Sequence, residues 1–253
     1  MYLLSLALYP DEQQREDGFE AFLDELSWYF GSLIKNGQTL RNDCNTIESE
    51  GEFVTYLLAP EPDSLDMKNA NTYVKASYEK VLSLCRHEPT IRLLGKSSDY
   101  ELSCTCQSPS WYMLYSDYTT NESPLVCGDC GKSVPLYKLP KILEEDEYYS
   151  VLSWQKAYNA CDRLFMEGIA ERTAYGRLSN PTSDLSILGL KICTAFENIV
   201  QKPFYYFLYR YYSEHKPICP ICSEPWKLAE DNNLFVDYRC KRCRLVADLV
   251  KSR

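Results

Sequence analysis

Apolar residues along the first hundred positions follow two alternating rhythms. The run YLLSLALY (Tyr2–Tyr9) is almost continuously apolar and stops at Pro10, which predicts a strand. Phe19, Phe22, Leu23, Leu26, Phe30 and Leu33 then recur at three- and four-residue intervals, on one face of a helix. GEFVTYLLAP (51–60) predicts a second strand closed by Pro60. Val74, Tyr78, Val81, Leu82 and Cys85 make a second helical stripe, and TIRLLG (90–95) a third strand. Strand, helix, strand, helix and strand in this order predict a ferredoxin-like α+β unit over 1–100, with two helices on one face of a small sheet.

The rhythm then breaks. Residues 101–143 hold short apolar stretches between turn residues, and four cysteines. Helical periodicity returns over 144–212. Trp154, Tyr158, Cys161 and Phe165 share one face, and Ser183 stands as an N-cap before Leu185, Leu188, Ile192, Phe196 and Ile199. The acidic run EEDE (144–147) reads as a solvated helix start. PFYYFLYRYY (203–212) is aromatic throughout and predicts a strand ending this helical segment. A second cysteine-rich segment occupies 213–253.

Charge changes the picture of what this chain can bind. The formal net charge is −9, and it is unevenly spread. Residues 1–100 hold nine Lys and Arg against seventeen Asp and Glu, and 101–147 hold three against eight. The stretches 148–212 and 213–253 each come out at +2. The acidic half repels phosphate backbones and favours basic partners. The 21 tyrosines supply contact area with a hydroxyl attached. No apolar run is long enough for a membrane span, and the start lacks the positive region of a signal peptide, so the expected compartment is the cytoplasm. In that reducing setting the twelve cysteines are thiols or metal ligands.

The cysteine spacing carries the chemistry. Cys219-x2-Cys222 and Cys240-x2-Cys243 stand seventeen residues apart, with room for a hairpin of WKLA, a polar turn at EDNN (230–233) and LFVDY. Two such pairs suit a tetrahedral Zn2+ ion, each pair turning back so that both sulfurs face the metal. This is the pattern of a zinc ribbon. Cys104-x-Cys106 and Cys127-x2-Cys130 predict a second one, with Gly128 and Gly131 placed for left-handed backbone. The one-residue gap leaves an alternative open, in which Cys104 or Cys106 is a bystander and another group completes the shell. Both zinc ions would be structural, because four thiolates leave no position for a reacting water. Cys85, Cys161 and Cys193 lie on or beside apolar faces and read as core thiols, and Cys44 as an exposed one. His215, four residues before Cys219, is within reach of that centre but not needed by it. His87 reads as a cation at a helix end.

Arg239, Lys241, Arg242 and Arg244 crowd the last knuckle in YRCKRCRL. They read either as partners of a thiolate-rich centre of charge −2 or as a contact patch for phosphate or an acidic partner.

The blocks CGDCGKSVPLYKLP (127–140), PFYYFLYRYY, CPICSEPWKL (219–228) and CRLVADL (243–249), in that order, resemble a bacterial family of unknown function described as zinc-ribbon-containing, with nucleic-acid binding as its suggested role. The resemblance implies Cys127, Cys130, Cys219, Cys222, Cys240 and Cys243 as zinc ligands. Three functions compete. No nucleophile elbow, phosphate loop or histidine-based acid–base pair supports an enzyme, and Asp24 and Glu25 fit an exposed helix face. Nucleic-acid binding has the ribbons and basic tail in its favour and the acidic body against it. The expectation that best fits the charge is a non-enzymatic protein-binding module for a basic partner, one form being an immunity protein that neutralises a cognate bacterial toxin.

Overall fold

The computed structural model describes residues 1–40, 45–211, 217–229 and 236–249. Cys44, His215 and the turn EDNN lie outside the described residues. The chain is mixed α+β and divides into two compact units: Met1–Ser103 with 135–139 and 146–148, and Cys104–Val134 with 140–145 and 149–253.

The first unit runs β1 (Tyr2–Leu8), α1 (Glu12–Glu16), α2 (Glu20–Lys35), β2 (Asn45–Ser49), β3 (Glu52–Ala59), α3 (Thr72–Ser83) and β4 (Thr90–Lys96). Its antiparallel sheet has the order β2-β3-β1-β4, which is ferredoxin-like. Leu4, Leu6 and Leu8 alternate inward from β1 and pack with Phe53 and Leu57 of β3. Phe22, Leu26, Leu33, Val74 and Val81 close the other side of that core. The predicted stripes therefore mark the buried faces of α2 and α3, except at Leu23, which is exposed because it turns off the core side of α2. Asn71 begins α3 by accepting a hydrogen bond from the Val74 N–H at 2.9 Å.

Four details differ from expectation. Strand β2 (NTIES) is polar and carries no apolar signal. Phe19 precedes α2 as a left-handed cap residue, φ 63°. Cys85 lies beyond the end of α3, packed against the core. His87 also lies past the helix, with its ring 4.0 Å from that of Tyr9. Asp24 is exposed, as expected, while Glu25 sits 3.4 Å from Lys80.

The second unit contains β5 (Tyr112–Leu114), β6 (Leu125–Cys127), α4 (Tyr149–Met166), α5 (Glu171–Ser179), α6 (Asp184–Val200), β7 (Phe204–Phe207), β8 (Val236–Cys240) and β9 (Leu245–Leu249). Its sheet has the order β6-β5-β7-β9-β8, with β5, β7 and β9 parallel and antiparallel strands at both edges. The aromatic stretch is thus more than the end of a helical segment. Its strand β7 is the middle of a sheet to which both cysteine segments contribute. All four residues of β7 are buried, as a central strand covered on both faces requires.

Trp154, Tyr158, Cys161 and Phe165 are buried along α4, and Leu185, Ile192, Cys193 and Phe196 along α6. The Ser183 hydroxyl caps α6 by accepting from the Ser186 N–H at 3.1 Å. Ile199 breaks its predicted stripe and is exposed. Helix α5 has a mostly polar sequence and no apolar rhythm to announce it. EEDE precedes α4 and does not start it; the Glu145 carboxylate accepts from the Ser150 N–H at 3.0 Å in the first turn.

Candidate metal centres

The eight predicted sulfurs come together as two groups of four. Within Cys104, Cys106, Cys127 and Cys130, and within Cys219, Cys222, Cys240 and Cys243, all sulfurs lie within 4.8 Å of one another. Cys222 and Cys240 are 3.6 Å apart, near the ~3.8 Å edge of a tetrahedron with zinc–sulfur bonds of ~2.3 Å. The alternative in which Cys104 or Cys106 stands apart is not what the fold adopts. Both sulfurs join the first group.

Cys127-x2-Cys130 and Cys219-x2-Cys222 are built the same way. The Cys127 N–H donates to the Lys132 carbonyl at 2.9 Å, and the Gly131 N–H returns to the Cys127 carbonyl at 2.8 Å. In the second group the Cys219 N–H donates to the Glu224 carbonyl at 2.8 Å, and the Ser223 N–H to the Cys219 carbonyl at 2.9 Å. The residue after each pair is left-handed: Gly131 at φ 73°, Ser223 at 61° and Arg244 at 53°. Glycine suits that conformation, and Ser223 and Arg244 hold it at a cost of about 1 kcal/mol each.

Gly128 does not have the expected left-handed backbone. It is needed for space, since a Cβ there would lie 2.0 Å from the Trp111 ring. Cys104-x-Cys106 lacks this construction altogether. Cys104 is held by its N–H donating to the Ser133 carbonyl at 2.8 Å, and the Cys106 N–H points at the Cys104 sulfur at 3.3 Å.

Strand register places both groups at one end of the sheet. Cys127 is paired with Tyr112 at the start of β5, Tyr112 with Phe204 at the start of β7, and Cys240 with Leu245 at the start of β9, which pairs with Tyr206 and so sits two residues further along β7. The groups therefore flank that end from opposite edges, four strand spacings or roughly 19 Å across. The Trp111 ring meets Gly128 of the first group, crosses Tyr205 edge-on at 5.4 Å, and lies 5.8 Å from the guanidinium of Arg239, the residue before Cys240. The segments carrying the second group are joined by two backbone bonds, Arg239 N–H to the Trp226 carbonyl and Leu228 N–H to the Asp237 carbonyl, both 2.8 Å. WKLA joins that arm through one bridge, Lys227 with Tyr238.

Crowded sulfurs cannot all ionise without a cation. Burial pushes the Cys104 thiol up and that of Cys127 up to about 11. Burial also opposes ionisation of Cys130, but hydrogen bonds from the Lys132 backbone and the neighbouring sulfurs draw it below the usual range. In the second group the Glu224 backbone N–H lowers Cys222, while burial and adjacent sulfurs raise Cys240 and Cys243. One sulfur in each group is readied, while Cys104, Cys127, Cys240 and Cys243 are held back from ionising. A soft divalent ion would supply the positive charge they need.

The four cations of YRCKRCRL are largely engaged. Arg244 grips Glu197 of α6 with two nitrogens, Nε to Oε2 at 2.8 Å and Nη2 to Oε1 at 2.6 Å, and this bond holds the carboxyl below its ordinary value. Arg242 donates to Glu224 at 2.8 Å, and its charge also faces the Cys222 and Cys243 sulfurs. Arg239 lies over the Trp111 and Tyr205 rings, at 5.8 and 5.9 Å. Lys241 is exposed. Glu197, Glu224, Trp111 and Tyr205 are the residues that sequence reasoning missed; none stands near a cysteine motif it serves in a way that spacing reveals, except Glu224, two residues after Cys222. Cys161 and Cys193 are buried core thiols, as expected. Among the described residues no helix is long and apolar enough to cross a membrane.

Residues 106–209 match a domain of unknown function, DUF2310, and residues 1–95 and 210–252 match two others, DUF8589 and DUF8594. An uncharacterized protein of Haemophilus influenzae is 28% identical over 227 residues, covering 85% of each chain. Another uncharacterized protein of that strain is 30% identical over 167 residues, 62% of this chain and 80% of its own. A solved antibiotic biosynthesis monooxygenase covers 38% of this chain and 99% of its own at 16% identity, with a TM-score of 0.29. At that score the likeness bears on neither fold nor chemistry.

Proposed function

This chain belongs to the family of unknown function that includes those Haemophilus influenzae proteins, and from that premise we propose that it is a non-enzymatic recognition protein held in shape by two structural Zn2+ ions. The observation that carries this reading is the pair of four-sulfur groups, each able to surround one ion. Cys104, Cys106, Cys127 and Cys130 would hold one ion, and Cys219, Cys222, Cys240 and Cys243 the other. Four thiolates close a tetrahedral shell, so each ion cross-links backbone and has no place for a reacting water. Each would brace one edge of the same sheet.

The partner we propose is a basic protein, a cognate toxin being one of that class. The acidic balance of 1–147 supports this, since complementary charge speeds encounter and disfavours nucleic acid. The engagement of Arg239, Arg242 and Arg244 with rings and carboxylates supports it too. These arginines serve the sheet before they serve a ligand. A location in the cytoplasm follows as part of the same proposal, because thiolate centres survive best in a reducing compartment.

Metal analysis of purified protein tests the first half: two zinc ions per chain are expected, and one or none would refute it. Affinity capture from native lysate with and without nuclease tests the second. A basic protein retained in near-equal amount under both conditions is expected, whereas retention of nucleic acid at moderate salt would replace the reading.

A further inference from the structure

The two four-sulfur groups differ at one position. In the second group Cys219 and Cys240 are buried, at 1% and 3% exposure, and Cys222 and Cys243 are half-buried. In the first, Cys104 and Cys127 are buried at 5% and 0%, Cys130 is half-buried, and Cys106 is exposed. Three of the four pairs are wrapped by a knuckle that ends in a left-handed residue; the pair containing Cys106 is not. Thr105, Gln107 and Ser108 around it are exposed as well.

Resting on the zinc reading above, we infer that Cys106 is an oxidation and alkylation site for peroxides and soft electrophiles, and that its oxidation discharges the first ion while the second stays bound. A zinc-bound thiolate keeps a lone pair for attack, and access then decides which sulfur reacts. The Cys106 sulfur takes one oxygen of the peroxide, the O–O bond breaks, and the departing hydroxide gains a proton to leave as water. The Cys130 sulfur, within 4.8 Å, then attacks the sulfenic acid at Cys106. A disulfide forms, and a second hydroxide leaves as water after taking a proton. Two thiolates lose two electrons in all and one peroxide is reduced to two waters. Cys104 and Cys127 alone would then remain to hold an ion, too few sulfurs to retain it. The two sulfurs, within 4.8 Å of each other, close to the ~2.05 Å disulfide bond.

The experiment uses the full chain, with its zinc content measured first. Hydrogen peroxide is added in steps while a chromophoric chelator follows released zinc and mass spectrometry maps the cysteines. One equivalent should leave at least about tenfold faster than the second, with a Cys106–Cys130 disulfide and the four second-group cysteines still reduced. Simultaneous release, earlier release from the second group, or a first-phase disulfide without Cys106 would overturn the assignment. Cys106→His keeps a ligand at that position and should abolish the fast phase while two ions remain; a persisting fast phase would count against Cys106. Fewer than two ions at the outset refutes the zinc reading, and the assignment is then decided by iodoacetamide alone, with Cys106 required to be the first of the eight modified.

Discussion

The two cysteine groups hold the same four atoms in different settings. The second is made from two knuckles, with no exposed sulfur and with Arg242 and Arg244 tying it to Glu224 and Glu197. The first is made from one knuckle and one short loop, steadied from outside by the Trp111 ring against Gly128. The difference teaches that a metal centre is specified by its backbone wrapping as much as by its ligands. C-x2-C brings its own turn and hydrogen bonds. C-x-C borrows them from a neighbouring bridge residue, Ser133 in this chain.

The largest effect expected is from removing metal altogether. A strong chelator should abolish amide protection in β6, β8 and β9, since apparent zinc-binding energies of roughly 10–16 kcal/mol act as folding energy in such ribbons. The four-stranded sheet of the first unit should keep its protection in the same hydrogen-exchange experiment, because its core contains none of the eight cysteines. Equal loss in both units would break the comparison.

Next in size is Trp111→Ala. Emptying a site 5% exposed should cost about 3–5 kcal/mol, measured by denaturant unfolding, and should weaken zinc retention at the first centre more than at the second. Smaller again is Glu197→Gln, expected to lower stability by about 1 kcal/mol through loss of the partly exposed Arg244 pair. The wild-type contribution has a defined pH sense. The carboxyl is held below its ordinary 4.5, so the pair's stabilisation is complete above that value and fades as pH falls through the lower folded value. Urea titrations at several pH values should show wild type converging on the variant in acid.

The smallest effect is a gain. Ser223→Gly relieves a left-handed residue with φ 61° and should stabilise the second centre by about 0.5–1 kcal/mol, read as slower zinc transfer to a chelator. The same change at Gly131's counterpart Arg244 should not gain, because it also removes the bond to Glu197.

Much of this protein is legible along the chain. Periodicity marks β1, β3, α2, α3, α4 and α6, because each buries one face against a core and must repeat at the spacing of its own backbone; the apolar run marks β4 too, although Ile91, Leu93 and Leu94 stay exposed on it. Cysteine spacing marks all eight sulfurs, since two ligands on one knuckle must be near in sequence. Strand β2 and helix α5 leave no such trace, being polar elements ordered by their neighbours.

What the tertiary structure alone decided is where these pieces meet. Nothing local in PFYYFLYRYY says that it separates two cysteine segments as the central strand of their common sheet. Nothing in YRCKRCRL says that Arg244 will find a carboxylate 47 positions earlier. Local spacing governs turns and faces through backbone geometry, whereas parallel pairing and long-range ion pairs depend on which surfaces remain to be covered once every element has formed.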